Sequence, residues 1–166
     1  MSEKLKEELL NILKEEKELY QELFEIAERK NEALVNNDTE KLLETVENDR
    51  EVIAEIEKKE KLRSDKINEI KAEFKLELAK DSYSNLIKEL PADWGEELNP
   101  IREELIELTD EFHSLNEQNQ KLLEQALELN QISFETIMQN IKEQDTTYSK
   151  QDVKKKEQPR IINKQG

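Results

Sequence analysis

Apolar residues recur every three or four positions from Leu5 through Leu9, Ile12, Leu19, Leu23, Ile26 and Ala33, the spacing of a packed helix seam. Glu16 and Lys30 interrupt that seam, and Leu10, Leu13, Tyr20, Phe24 and Leu34 widen it, so the first helix is expected to touch two neighbours. Asn36-Asn37-Asp38-Thr39 breaks the pattern. Asn tolerates left-handed backbone, and Asp38 or Thr39 can accept from the free N–H groups of the next helix. So short a connection predicts an antiparallel second helix. Its seam reads Leu42, Val46, Ile53, Ile56, Ile67, Ile70, Phe74 and Leu78. Residues 57–66 are nearly all charged, which predicts a thin bundle there or a helix running out into water.

Ser82 looks like a cap before a short turn, and Leu90-Pro91-Ala92-Asp93-Trp94-Gly95 reads as the main connection, because Pro91 disfavours helix at Leu90. Trp94 is expected to plug the end of a bundle. Pro100 sits where a first-turn proline is tolerated, with Asn99 as its cap. The third seam runs Leu98, Ile101, Leu105, Leu108, Phe112, Leu115, Leu122, Ala126 and Leu129. It then passes to a neighbouring frame, Leu123, Leu127, Phe134, Ile137 and Ile141. Such drift against a strict heptad predicts weak supercoiling. The expected fold is all-α: an elongated antiparallel bundle of three long helices over about residues 3–35, 39–80 and 98–142. A short helical turn at 82–89 precedes the third, and residues 1–143 form the bundle domain.

The segment 122–141 stands out. On a helix its ten apolar side chains cover an arc of roughly 240°. Its three charges, Glu124, Glu128 and Glu135, fall in a wedge of about 40° opposite. Packing on one partner needs little more than about 100°. The surplus covers a second helix of the molecule, a second copy, or another protein. Leu122, Leu123, Leu127, Phe134, Ile137, Met138 and Ile141 are therefore the candidate partner-binding residues, open to an apolar helix.

Composition narrows the classes. Among 166 residues, 40% are charged and 34% hydrophobic, and the net charge is −15. Two Gly leave little for the tight turns of a sheet fold, and the absence of Cys removes thiolate chemistry. The acidic surface repels phosphate backbones, so nucleic acid is not an expected partner. Met1-Ser2-Glu3-Lys4-Leu5-Lys6-Glu7-Glu8 has no apolar leader and no run approaches a membrane span, so no membrane insertion and a cytoplasmic location are expected. Residues 144–166 carry six bases and three acids, hence +3 against −18 on the rest, and are expected to be a disordered basic tail.

No catalytic chemistry is expected. A di-metal site in a bundle needs Glu-x-x-His on two helices. The chain has one His, and Asp110 stands three residues before His113. Phosphate loops and EF-hand spacing are absent from the sequence, so neither a metal nor a cofactor is expected. The reading is a non-enzyme.

Three stretches carry a family resemblance. One is Lys30-Asn31-Glu32-Ala33-Leu34 followed by Asn37-Asp38 and Leu42-Leu43. Another is Glu51-Val52-Ile53-Ala54-Glu55-Ile56 leading to Glu60 and Arg63. The most specific is Leu115-Asn116-Glu117-Gln118-Asn119-Gln120-Lys121-Leu122-Leu123-Glu124-Gln125-Ala126-Leu127, with two Asn in an apolar seam. With the Leu-Pro-x-x-Trp break between them, they resemble the FlgN family of flagellar type III export chaperones over about residues 1–142. The resemblance implies a cytoplasmic chaperone that binds the C-terminal helical ends of hook-associated proteins. It would prevent their premature assembly and deliver them to the export gate, as a monomer or weak homodimer. It places client binding in the C-terminal helix, here Leu115 to Ile141. Asn116 and Asn119 either meet that partner or pair between helices to fix register. The rival readings are a coiled-coil scaffold that dimerises through its C-terminal helix and a prefoldin-like holdase.

Overall fold

The computed structural model describes residues 1–78, 80, 82–130, 138 and 141–143. Four helices carry the chain: α1 Ser2–Val35, α2 Thr39–Glu73, α3 Tyr83–Glu89 and α4 Ala92–Asn130. Residues 138 and 141–143 are also helical. The all-α class is as expected and three long helices are present, the third described over Ala92–Asn130 against the expected 98–142; residues 131–137 and the basic tail, 144–166, lie outside the described residues.

Each long helix ends for a local reason. At the end of α1, Asn37 takes the left-handed conformation (φ 53°). The Asp38 N–H then reaches back to the Ala33 carbonyl at 2.8 Å and the Asn37 N–H to Leu34 at 3.3 Å, a Schellman cap. The next residue begins α2, where the Asp38 carboxylate accepts from the Lys41 N–H at 3.1 Å. The same device closes α2 at Glu73, not near residue 80. Lys75 has φ 53°, and the Leu76 and Lys75 N–H groups bond the carbonyls of Lys71 and Ala72 at 2.9 and 3.3 Å. Leu76 and Leu78 leave the helix and lay their side chains on the core, which compensates the broken seam.

Cross-helix pairs fix the directions. Lys66 meets Glu8, Arg63 meets Glu16, and Lys30 meets Asp49, so α2 runs antiparallel to α1. Lys6 meets Asp93, Lys17 meets Glu104, and Asn31 meets Asn119, so α4 runs parallel to α1. The path is up, down, up. α1 packs along both α2 and α4, and those two make no comparable backbone approach to each other among the described residues. The central helix is therefore the first, not the last. Its double contact explains why Leu13 and Tyr20 are buried beside Leu9 and Leu23, while Ile12 and Leu19 are only partly covered.

The polar interruptions of the seam are buried. Glu16 is fully enclosed against Arg63, and Lys30 is enclosed against Asp49. The charged stretch 57–66 does not run out into water: Lys59 pairs with Glu15, Arg63 with Glu16, and the Tyr20 hydroxyl donates to Glu60 at 3.4 Å. Here the α1–α2 interface is built from ion pairs instead of leucines.

The opposite end of the molecule closes around Trp94, which is 1% exposed and meets the Phe74 ring edge-on at 5.6 Å. α4 starts at Ala92, six residues before the expected start at 98, so Pro100 lies inside the helix. Trp94 and Leu98 are both buried on the helix face, and Lys6 holds Asp93 and Glu97, one turn apart, at 2.6 and 2.8 Å. Those contacts extend the helix toward its N-terminus; Pro100 and Glu96 face water, where a carbonyl freed by the proline ring finds solvent. Gly95 lets α3 lie close, since a Cβ there would stand 3.2 Å from Ile87 Cγ2.

Two apolar clusters result. The larger runs from Leu5 to Ala27 on α1 and takes in Ile56, Ile70, Leu86, Trp94, Leu105 and Phe112. The smaller lies at the end of the bundle where the turn at residues 36–38 joins α1 to α2, called the hinge end below, and comprises Ala33, Leu42, Val46, Leu123 and Ile141.

Candidate partner-binding site

The hinge-end cluster is where the candidate residues gather. Asn119 sets the register of α4: its Nδ2 donates to the Ala27 carbonyl at 2.8 Å and its Oδ1 accepts from Asn31 at 3.0 Å. One turn further on, Leu123 reaches the pocket formed by Ala33 on α1 and Leu42 and Val46 on α2. Leu127 and Met138 pack on this cluster but stay half-covered, as does Leu122 beside them. Ile141 fills the remaining space and is 5% exposed. Next to it Glu143 pairs with Arg50 of α2. Four of the seven candidates, Leu123, Leu127, Met138 and Ile141, thus meet at one place. Phe134 and Ile137 lie outside the described residues.

Asn116 is half-buried. Beside Asn31 and its neighbours, Phe24, Glu28, Glu111, Ser114, Leu115 and Gln118 line an open groove of about 550 Å³ between α1 and α4.

Charge at the far end is arranged to hold the helices together. Lys6 is buried and hydrogen-bonded first by Asp93, then by Glu3 and Glu97, which holds its ammonium pKa far above the usual lysine range. Asp93, in the same contact, is held below the usual carboxylate range. The carboxylates of Glu69 and Glu8 likewise raise Lys66, and Lys66 in turn lowers Glu8. Sequence reasoning missed Lys6, Glu16, Lys30, Asp49 and Arg63 as interior groups. A signal existed for Glu16 and Lys30, which fall on the apolar spacing itself. No group of His, Asp and Glu among the described residues is arranged to hold a metal ion, and none of their helices is long and apolar enough to cross a membrane.

A protein-family model described as FlgN protein matches residues 1–155. The chain belongs to the FlgN family. That is a family of flagellar export chaperones, acting in flagellum biogenesis and type III export, so the resemblance of the three stretches to it is met. FlgN proteins form a chaperone family, with which the reading as a non-enzyme is consistent. No curated protein and no solved structure matches the chain.

Proposed function

We propose that this FlgN-family chaperone binds the C-terminal helical ends of hook-associated proteins, keeps them from assembling early, and delivers them to the export gate. The observation that supports it is the hinge end. There Leu123, Leu127, Met138 and Ile141, from the stretch whose sequence carries more apolar perimeter than one helix contact needs, join a second cluster, separate from the main core. Its Leu127 and Met138 remain half-covered. The main core stands without them, so this end can open to a client helix while the bundle persists.

The mechanism is stoichiometric. The client's amphipathic helix lies along residues 122–141 and replaces the contacts it would make in a filament, with Leu122, Leu123, Leu127, Phe134, Ile137, Met138 and Ile141 as the apolar face. The strongly acidic body keeps such a face soluble. Replacing Phe134 and Ile137 together with Asp should abolish co-purification of hook-associated proteins while helix content, read by circular dichroism, stays unchanged. Retained binding in that double variant overturns the assignment. Mass in solution without client separates the scaffold reading, which requires a stable dimer burying the same residues.

A further inference from the structure

The open groove between α1 and α4 takes no part in the client reading, and its walls alternate in character. Two contacts fix the register of these parallel helices: Lys17 meets Glu104 and Asn31 meets Asn119, offsets of 87 and 88 residues. Between them Phe24 is level with Glu111, and Glu28 with Leu115, all four lining the groove. Each wall thus sets a carboxylate beside the other wall's apolar residue. The two carboxylates stand one helical turn apart along the bundle, about 6 Å.

Phe24 and Leu115 are half-buried and pack on the main core, so the apolar floor of the groove is anchored. Glu28 and Glu111 are exposed. Elsewhere along α1 the cross-helix contacts pair opposite charges, Lys6 with Asp93, Glu16 with Arg63 and Lys17 with Glu104. Among the described residues neither Glu28 nor Glu111 meets a cation. They place unmatched negative charge beside an uncovered apolar strip, in a chain whose net charge is already −15. A second copy brings more carboxylates to that edge; a segment carrying cations relieves it. The Asn31–Asn119 bond ends this stretch before Leu123 and the hinge-end cluster begin, so the two surfaces are distinct.

We propose that the α1–α4 groove is a second docking site, whose occupant is a basic amphipathic helix of another protein. Apolar residues of that helix lie on Phe24 and Leu115. A Lys or Arg at each of two positions four apart, also about 6 Å along its axis, meets Glu111 and Glu28. Exposed ion pairs hold weakly, so the docking is reversible and falls as salt rises. Such a site goes beyond the client assignment and stands without it.

The test uses the full-length chain and a labelled helical peptide with leucines on one face and two lysines one turn apart beside them. Binding should weaken at least about ten-fold in E28K/E111K, which should instead take the same peptide with glutamates in place of the lysines. E22K/E51K makes the same change in net charge at exposed carboxylates outside the groove. It should stay within about two-fold of wild type. Trp94 fluorescence and urea unfolding verify that each variant is folded. No binding of the lysine peptide to wild type overturns the proposal and leaves the client reading intact. Equal weakening in both double variants also overturns it, since the diffuse field of the acidic body then does the binding. Undiminished binding of a peptide with serines for leucines does the same, because the apolar floor then contributes nothing. Binding about ten-fold tighter in K154Q/K155Q/K156Q makes the chain's own basic tail the occupant. A stable homodimer that E28K/E111K disrupts makes it a second copy. Either result overturns the outside partner.

Discussion

Asn119 of α4 ties two helices of the same direction together, its Nδ2 on the Ala27 carbonyl at 2.8 Å and its Oδ1 on the Asn31 amide at 3.0 Å. Asn119 is 2% exposed in a seam otherwise apolar, so both bonds are sheltered from water. N119A strips the partner from Asn31 and leaves space behind it. The expected loss is about 1–3 kcal/mol, the range for a buried polar group deprived of its bond. N119L restores the volume and should recover part of the stability while allowing α4 to slide against α1. Urea unfolding measures the first effect; amide exchange across residues 119–130 measures the second.

The Lys30–Asp49 pair joins α1 to α2 with both side chains inside the protein. D49A abandons the Lys30 ammonium in a site that excludes water. The expected cost is about 3–5 kcal/mol. The double variant K30M/D49L removes both charges and fills the space with apolar atoms, so it should return to wild-type stability or exceed it. A shift in the urea midpoint with unchanged slope would show that stability alone has moved. A double variant as unstable as D49A refutes this account of the interface.

These two pairs also mark the limits of reading the chain. The three long helices were legible because apolar steps of three and four persist through Leu9, Leu23, Ile56, Ile70, Leu105 and Phe112, and the Asp38 cap because its residue types are specific. Glu16 and Lys30 looked like breaks in a stripe. They are part of it, since each finds an opposite charge that only the antiparallel partner supplies, and partner register is a tertiary fact. The early end of α2 was hidden because Lys75, not Gly or Asn, takes the left-handed position. Pro100 pointed to a helix start that the Lys6 contacts with Asp93 and Glu97 override. In the candidate site the surplus apolar arc was visible, whereas the placement of Ile141 against Val46 depends on where remote segments return.

Lys75 offers a test of local strain. Its φ of 53° is costly for a side chain with a Cβ, about 1–2 kcal/mol, and the residue is exposed. Glycine removes that cost but gains freedom in the unfolded chain. K75G should stabilise the protein by about 0.5–1 kcal/mol net. N37G, at the equivalent position after α1, should gain less, because Asn already tolerates this backbone. Thermal unfolding should show a rise of about 2 °C for K75G. No rise would mean that the Schellman bonds from Leu76 and Lys75 do not survive in solution.

Stability should fall at both ends of the pH scale, for different groups. On the acid side, Asp93 is lowered chiefly by the hydrogen bond from Lys6, and Glu8 chiefly by that from Lys66. A lowered folded-state pKa means the unfolded chain takes up protons first. The contribution is complete above the ordinary carboxylate values, about pH 4, and is lost as pH drops through the lower folded values. On the alkaline side, burial among Glu60 and Glu16 pushes the Tyr20 hydroxyl far up, and the carboxylates of Glu69 and Glu8 raise Lys66. A raised folded-state pKa reverses the sign: that contribution is present below the unfolded values, about pH 10, and is lost as pH rises beyond them. The urea midpoint should therefore hold a plateau between about pH 5 and 9 and decline on either side. D93N should flatten the acid limb and, because Asp93 is also the chief cause of the raised Lys6 pKa, soften the alkaline one; Y20F should flatten the alkaline limb and leave the acid limb intact. If D93N leaves the acid limb as steep as before, the Lys6 cluster is not what joins α1 to α4 in solution.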